Sequence, residues 1–369
     1  MTRFWLGGYG SAMEGSADGI GLLAGDADRQ TALEYRGAVT QTPSPSWLAQ
    51  HPTLDVVYAA LEGDAAVQAF SRSGESALRP LGEPVEAGEN VCHVAVSPSG
   101  GYLVASCYGD GRVVRIGIAP DGGLVADAAN RAAELRAALL GETLETSAPA
   151  GVAAAAFDPY PGERTASGDE RESHAHSAVF LADGRIATTD LGFDLVRIWR
   201  PTAGGLILDH EIVLPLGTGP RHMVAHPSGH LHVVTEYSCE VFTLAAGRGG
   251  TWAVVSAVLS SPIAEVGVDF PAELVRSRDG QFLYTALRGS NTIAALRVRG
   301  GGESLESIAL ADSGVDWPRH HLVHEGKLLV AGQRSDSIAL LDLDERTGAP
   351  LGIRHTAQVP TPTHFLPVR

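Results

Sequence analysis

A chain of 369 residues with 44 Gly, 21 Pro and 44 % hydrophobic residues must turn often yet can bury a large core, which excludes disorder. The formal charge of −16 sets the surface against nucleic acid and anionic membrane, so any anionic ligand needs a local basic pocket. Cys92, Cys107 and Cys239 make no disulfide framework and read as buried free thiols. With no signal pattern in MTRFWLGGYG and no apolar run of membrane-spanning length, they point to a cytoplasmic protein.

One pattern recurs along the chain: a strand, a Pro/Gly/Asp turn, and a return strand rich in β-branched residues. It first appears as SWLAQHPTLDVVYAALEG at 46–63, ending on Glu62, and again as HVAVSPSGGYLVASCYG at 93–109, ending on Tyr108. The third copy, HSAVFLADGRIATTDLG at 176–192, ends on Asp190. The fourth, GPRHMVAHPSGHLHVVTEYS at 219–238, ends on Glu236. ELVRSRDGQFLYTALRG at 273–289 ends on Arg288, and HHLVHEGKLLVAGQRS at 320–335 ends near Gln333. Behind the fourth hairpin a third strand is expected over 240–245 and a fourth over 252–259, which completes one unit of four strands.

The end positions are 45–52 residues apart except for one step of 82, and that period with four short strands per unit predicts a β-propeller. Six units are visible, and the two chain ends supply a seventh whose closure removes exposed sheet edges. Spacing alone also allows six or eight. The expectation is an all-β single domain over 1–369, seven blades of four antiparallel strands, with one short helical insertion. That insertion, residues 125–173, fills the long step. AANRAAELRAALLGETLE at 128–145 has helical spacing of Leu135, Leu139 and Leu140, and PYPGERTASGDERES at 159–173 reads as a solvated loop. It is either a lid over one face or a tolerated surface insertion.

In a propeller blade the start of the innermost strand lies beside the end of the second, so every hairpin opens toward one mouth of the central channel. That placement gathers Glu62, Tyr108, His176 with Asp190, Arg221 with Glu236, Arg288, and Arg319 with Gln333. Arg221 and Glu236 flank the turn at Ser228 almost symmetrically and should meet, as site or as structural ion pair. His93, His174, His320 and His321 lie nearby. His222 and His321 are expected to pack between strands, and His226, His230, His232 and His324 to be solvated near turns. Asp190 has an alternative role capping the turn before Gly192, and Tyr108 one as channel-wall filler. His174-Ala-His176 places two imidazoles on one strand face, but no further His or Cys stands at metal-site spacing, so no metal is expected. No Gly-x-Ser-x-Gly elbow and no phosphate-binding glycine loop is present.

The stretches CHVAVSPSGGYLVASCYGDGRV, HAHSAVFLADGRIATTDLGFDLVRIW, GPRHMVAHPSGHLHVVTEYS and PRHHLVHEGKLLVAGQRSDSI resemble repeats of the 6-phosphogluconolactonase-type lactonase family. That family consists of seven-bladed propellers and also includes 3-carboxy-cis,cis-muconate cyclising enzymes. The resemblance implies catalytic roles for His176, Arg221, Glu236 and Arg288, and no cofactor. The chain carries Ala175, Thr235 and Leu287 where the family usually has Pro, Asn and Asn. The activity so implied is hydrolysis of a small anionic lactone, with Glu236 or neutral His176 as base. Arg221 or Arg288 would face the oxyanion. Glu62, Tyr108, His174, Asp190, Arg319 and Gln333 would hold the substrate. Cycloisomerisation to a lactone, or a non-catalytic binding propeller, are the alternatives.

Overall fold

The computed structural model describes residues 2–25, 33–74, 76–125, 157–202 and 205–369. Its strands form seven sheets whose ladders are all antiparallel, one per expected unit. The innermost strands are Pro45–Gln50, Val91–Val96, Ala175–Phe180, Pro220–Ala225, Phe270–Arg276, Pro318–His324 and Pro362–Pro367. Each packs against the innermost strands of both neighbours, so they close a ring around the axis. Numbering the blades in chain order from the N-terminal one, Pro362–Pro367 completes blade 1 by pairing with Thr2–Gly8, with His364 opposite Gly7. Blade 2 departs from the four-stranded expectation, since Val85–Glu86 adds a short fifth strand against Ala66–Ser73.

Apolar pattern explains the layering. The second strands are buried on both faces, as in Val56–Leu61 and Phe282–Arg288. The outer strands alternate toward solvent, as in Trp252–Leu259 and Pro350–Gln358. The core lies between blades: Phe4, Leu6 and Phe365 of blade 1 pack on Leu329, Ile338 and Leu340 of blade 7. Burying one such Phe is worth about 1.5–3 kcal/mol, so the C-terminal strand is held by side chains as well as by its ladder. Gly7 is required where the ring is tightest, because a Cβ there would come within 2.5 Å of the Pro45 carbonyl oxygen.

The helix expected over 128–145 lies outside the described residues. Of the expected solvated loop, residues 161–170 are exposed, but its end is pinned. The Arg171 side chain, 4% exposed, pairs with Asp194 at 2.9 Å and Asp158 at 3.4 Å, and the Tyr160 hydroxyl donates to the Leu214 carbonyl at 2.7 Å. Among the described residues no helix is long and apolar enough to cross a membrane, and all three cysteines are buried and free.

Candidate active site

All seven innermost strands carry a β-bulge at the same level, near the end that opens on the mouth. In blade 5, Pro220 pairs with Thr235 and His222 with Val234, leaving Arg221 as the extra residue. The same step singles out Ser46, Cys92, Arg319 and Thr363 in blades 2, 3, 7 and 1. In blade 4 the pair His176 and Ser177 faces one residue, and in blade 6 Ala272 and Glu273 do. A bulge re-aims the side chain it adds. Here the result is a cavity of about 240 Å³, counted out to open solvent, lined by Ser46, Trp47, Cys92, His176, Arg221, His222, Arg319 and Thr363. Six of those eight are bulge residues. Proline suits this point because it has no N–H to give the ladder, and Pro45, Pro220, Pro271, Pro318 and Pro362 each precede a bulge.

The second-strand ends supply the acids and one more base. Glu236 Oε2 lies 2.8 Å from Arg221 Nε and 2.7 Å from Arg288 Nη2, so one carboxylate joins blades 5 and 6. The Arg221 contact is ionic rather than directed, since its Nε–H is not aimed at the oxygen. Arg288 is fixed by donating from Nε to the Phe270 carbonyl at 2.9 Å and by facing the Trp317 ring at 5.4 Å. Across the mouth Arg319 lies over the Tyr9 ring at 5.0 Å and reaches Gln333 Oε1 at 3.4 Å. Tyr9 donates its hydroxyl to Glu62 Oε1 at 3.1 Å, while Glu62 Oε2 stays buried and unbonded.

Below the cavity the axis is filled by rings. Trp47 touches His93, His222, His320 and His364 at centroid distances of 4.1–5.4 Å, and His176 meets His222 edge-on at 4.9 Å. Burial, and then the nearby Arg221, hold His176 and His222 well below the usual imidazole range, so both are neutral at pH 7. Burial pushes the Glu236 carboxyl up, but Arg288 and Arg221 outweigh it and hold it below its ordinary value. The Cys92 thiol is pushed up to about 12 by burial and is inert as a nucleophile.

The expected residues therefore divide. His176, Arg221, Glu236, Arg288 and Arg319 converge, with Glu62 and Gln333 on the Arg319 side. Tyr108 and His174 stack at 4.4 Å, with His174 Nδ1 at 2.7 Å from the Tyr108 carbonyl. Asp190 is spent on structure. It is fully buried, pairs with Arg197 at 2.7 Å, accepts from Ser173, and takes the backbone N–H groups of His174, Gly192 and Phe193. Its turn-capping role is the one its bonds describe.

Two expectations for histidines are corrected. His222 does not pack between strands: the bulge at Arg221 turns it onto the cavity. His232 is not solvated but fully buried, with Nδ1 at 3.0 Å from Thr243 Oγ1. His321 does sit between blades, Nε2 at 3.0 Å from the Tyr284 carbonyl. Sequence reasoning passed over Trp47, Cys92, Glu273 and His364. The signal that finds Trp47 and His364 is Pro-x-His or Pro-x-Trp at the start of an innermost strand: Pro45-Ser46-Trp47, Pro220-Arg221-His222, Pro318-Arg319-His320 and Pro362-Thr363-His364.

A closed ring of seven blades with an arginine-rich axial mouth defines the class: a seven-bladed β-propeller with a cationic axial cavity. Over residues 3–367 the chain matches the family described as Lactonase, 7-bladed beta-propeller, and it belongs to that family. It is similar to the 6-phosphogluconolactonase of Bacillus subtilis (strain 168), 24% identical over 372 residues and covering 98% of this chain and 97% of that one. Among solved structures it resembles a protein from Lactobacillus plantarum, with TM-score 0.82 and 23% identity over the full length of both chains. It also resembles the periplasmic gluconolactonase PpgL of Pseudomonas aeruginosa, with TM-score 0.80 and 20% identity over 100% of this chain and 99% of that one. At those identities the structural likeness speaks for the fold.

Proposed function

We propose that this protein hydrolyses an anionic sugar lactone, of the 6-phosphogluconolactone kind, at the axial mouth. The observation that carries the reading is the Glu236 carboxylate shared by Arg221 and Arg288 beside a cavity holding neutral His176 and Arg319. In a chain of charge −16, buried guanidiniums on one opening give an anion an attractive destination. The free buried thiols suit action in the reducing cytoplasm.

The geometry favours His176 over Glu236 as the base. Glu236 Oε2 is engaged by two guanidiniums and is held acidic, which makes it a poor proton acceptor and a good clamp. His176 is neutral, and its buried Nδ1 has no partner. It would take a proton from water attacking the ring carbonyl. Negative charge then grows on the carbonyl oxygen, where Arg221 and Arg288 stand preorganised by Glu236. A donor of this sort is typically worth about 2.7–4 kcal/mol. Arg319 would hold the substrate's own anionic group.

Three guanidiniums in one mouth also suit a dicarboxylate, the substrate of a cyclising reaction run in the opposite direction. A turnover screen of phosphorylated lactones, plain sugar lactones and a carboxymuconate separates the two. Under the hydrolase reading Arg221→Ala lowers lactone turnover by about a hundredfold or more. An active wild type with an unimpaired Arg221→Ala variant refutes this site.

A further inference from the structure

Blade 6 alone sends no bulge residue into the lining of the cavity. Its acid, Glu273, is 7% exposed and points instead at the back of His222, with Oε2 at 3.1 Å from His222 Nδ1. That oxygen has no other partner and accepts no N–H in line, so as a carboxylate it is an orphan. A lone pair on Nδ1 lies where its N–H would and is off that line too, so the carboxyl is satisfied when it carries the proton and the imidazole turns to bring Nδ1 into line as acceptor. With Nδ1 accepting, a neutral imidazole has its own proton on Nε2, the nitrogen left for the cavity that His222 lines.

We propose, resting on the hydrolase reading above, that Glu273 and His222 form the proton-delivery pair of this site. His222 gives the leaving ring oxygen its proton, and Glu273 is the positioning residue that resupplies it. Hydrolysis needs such a donor. After water adds, the bond between the carbonyl carbon and the ring oxygen breaks, and its electron pair goes to that oxygen, an alkoxide too basic to leave unprotonated. The His222 Nε2 proton moves to the ring oxygen while the Glu273 proton moves to Nδ1. The pair is left as a Glu273 carboxylate and the Nδ1–H tautomer of His222. The proton taken from water by His176 returns to the pair through solvent in the mouth. Lactone and water become hydroxy acid, with no other reactant.

The surroundings keep the pair in its giving form. Around His222 stand Arg221 on its own strand, His176 on blade 4, His93 on blade 3 and His320 on blade 7, all of which disfavour a charged imidazole. Around Glu273, burial opposes ionisation and the one cation acting on it, Arg221, is already shared with Glu236. A carboxyl kept neutral in order to donate, beside a histidine kept neutral in order to accept, is the division of labour that one acid and one base require.

The test compares wild type, Glu273→Gln and Glu273→Asp on an aliphatic sugar lactone and on dihydrocoumarin, whose phenolate leaves without a proton. Wild-type kcat on the sugar lactone should fall as pH rises through the Glu273 carboxyl's value, which burial pushes up to about 8. Glu273→Gln should lower kcat about a hundredfold with KM little changed, lose that alkaline limb, and be nearly unimpaired on dihydrocoumarin. Glu273→Asp should keep the limb and guards against a Gln variant that fails to fold. Equal defects on both lactones, or an alkaline limb that survives in Glu273→Gln, overturn the proposal and leave the hydrolase reading standing. A wild type that opens neither lactone overturns both.

Discussion

Replacing Glu236 with Gln removes one charge from a place where one charge holds two. The carboxylate side chain is 18% exposed, and it faces Arg221 and Arg288 side chains that are 3% and 6% exposed. With Gln the two guanidiniums remain buried and repel each other, and Arg319 adds to the repulsion. Breaking a buried pair in this way costs about 3–5 kcal/mol, and because Gln keeps the shape and one oxygen the lower end applies. Unfolding entropy of about 2.1 cal/mol/K per residue over 369 residues makes 3 kcal/mol a drop of about 4 °C in Tm. A mouth that is merely decorated with charges would leave Tm unmoved. The sign with pH comes from the Glu236 carboxyl being held below its ordinary value. Its stabilisation is complete above the unfolded carboxyl's value of about 4.3 and is lost as pH falls through its own lower value. Thermal melts at pH 7 and in stronger acid should show the gap between wild type and variant closing on the acid side. Steady-state assays at pH 7 should show turnover lower by about a hundredfold, because the arginines lose their placement. An unchanged Tm with unchanged turnover refutes the clamp.

Asp190→Asn should destabilise without altering substrate affinity, by about 4 °C or more, because it breaks the buried pair with Arg197 and weakens the turn after blade 4's second strand. A raised KM with an unchanged melt would return Asp190 to the binding site. Burial holds His93 near 3 and His321 near 4, so the unfolded chain takes up protons that the fold refuses. Stability should be whole above pH ~6.5 and decline steadily as pH falls toward those values, as tracked by melts at successive pH. Finally, the three thiols should resist a thiol-specific chromophoric reagent in the native protein and react on denaturation, because all are buried and Cys92 and Cys239 are pushed up to about 12 and 11 by burial.

The hairpin register explains why part of the site is legible in the chain. Glu236 and Arg288 sit at second-strand ends, where distance from a Pro/Gly turn measures position directly, and both lie at the mouth as expected. Arg221 is found for the same reason, although it stands seven residues before Ser228 and Glu236 eight after. The bulge is not in that spacing: it sets Pro220, eight before Ser228, opposite Thr235, seven after, and has no meaning until the partner strand is known.

The repeat is written in the chain: turn chemistry and β-branched runs recurring every 45–52 residues admit few arrangements other than blades around an axis. Which way each inner residue faces is set by the paired strands and cannot be read along the chain. Side chains alternate with a period of two, so one unpaired residue reverses everything beyond it, and that residue is defined by its partner strand rather than by its neighbours in sequence. Hence His222, expected between strands, reaches the cavity, and Glu273, three blades and more than two hundred residues from Trp47, belongs to the same axial assembly.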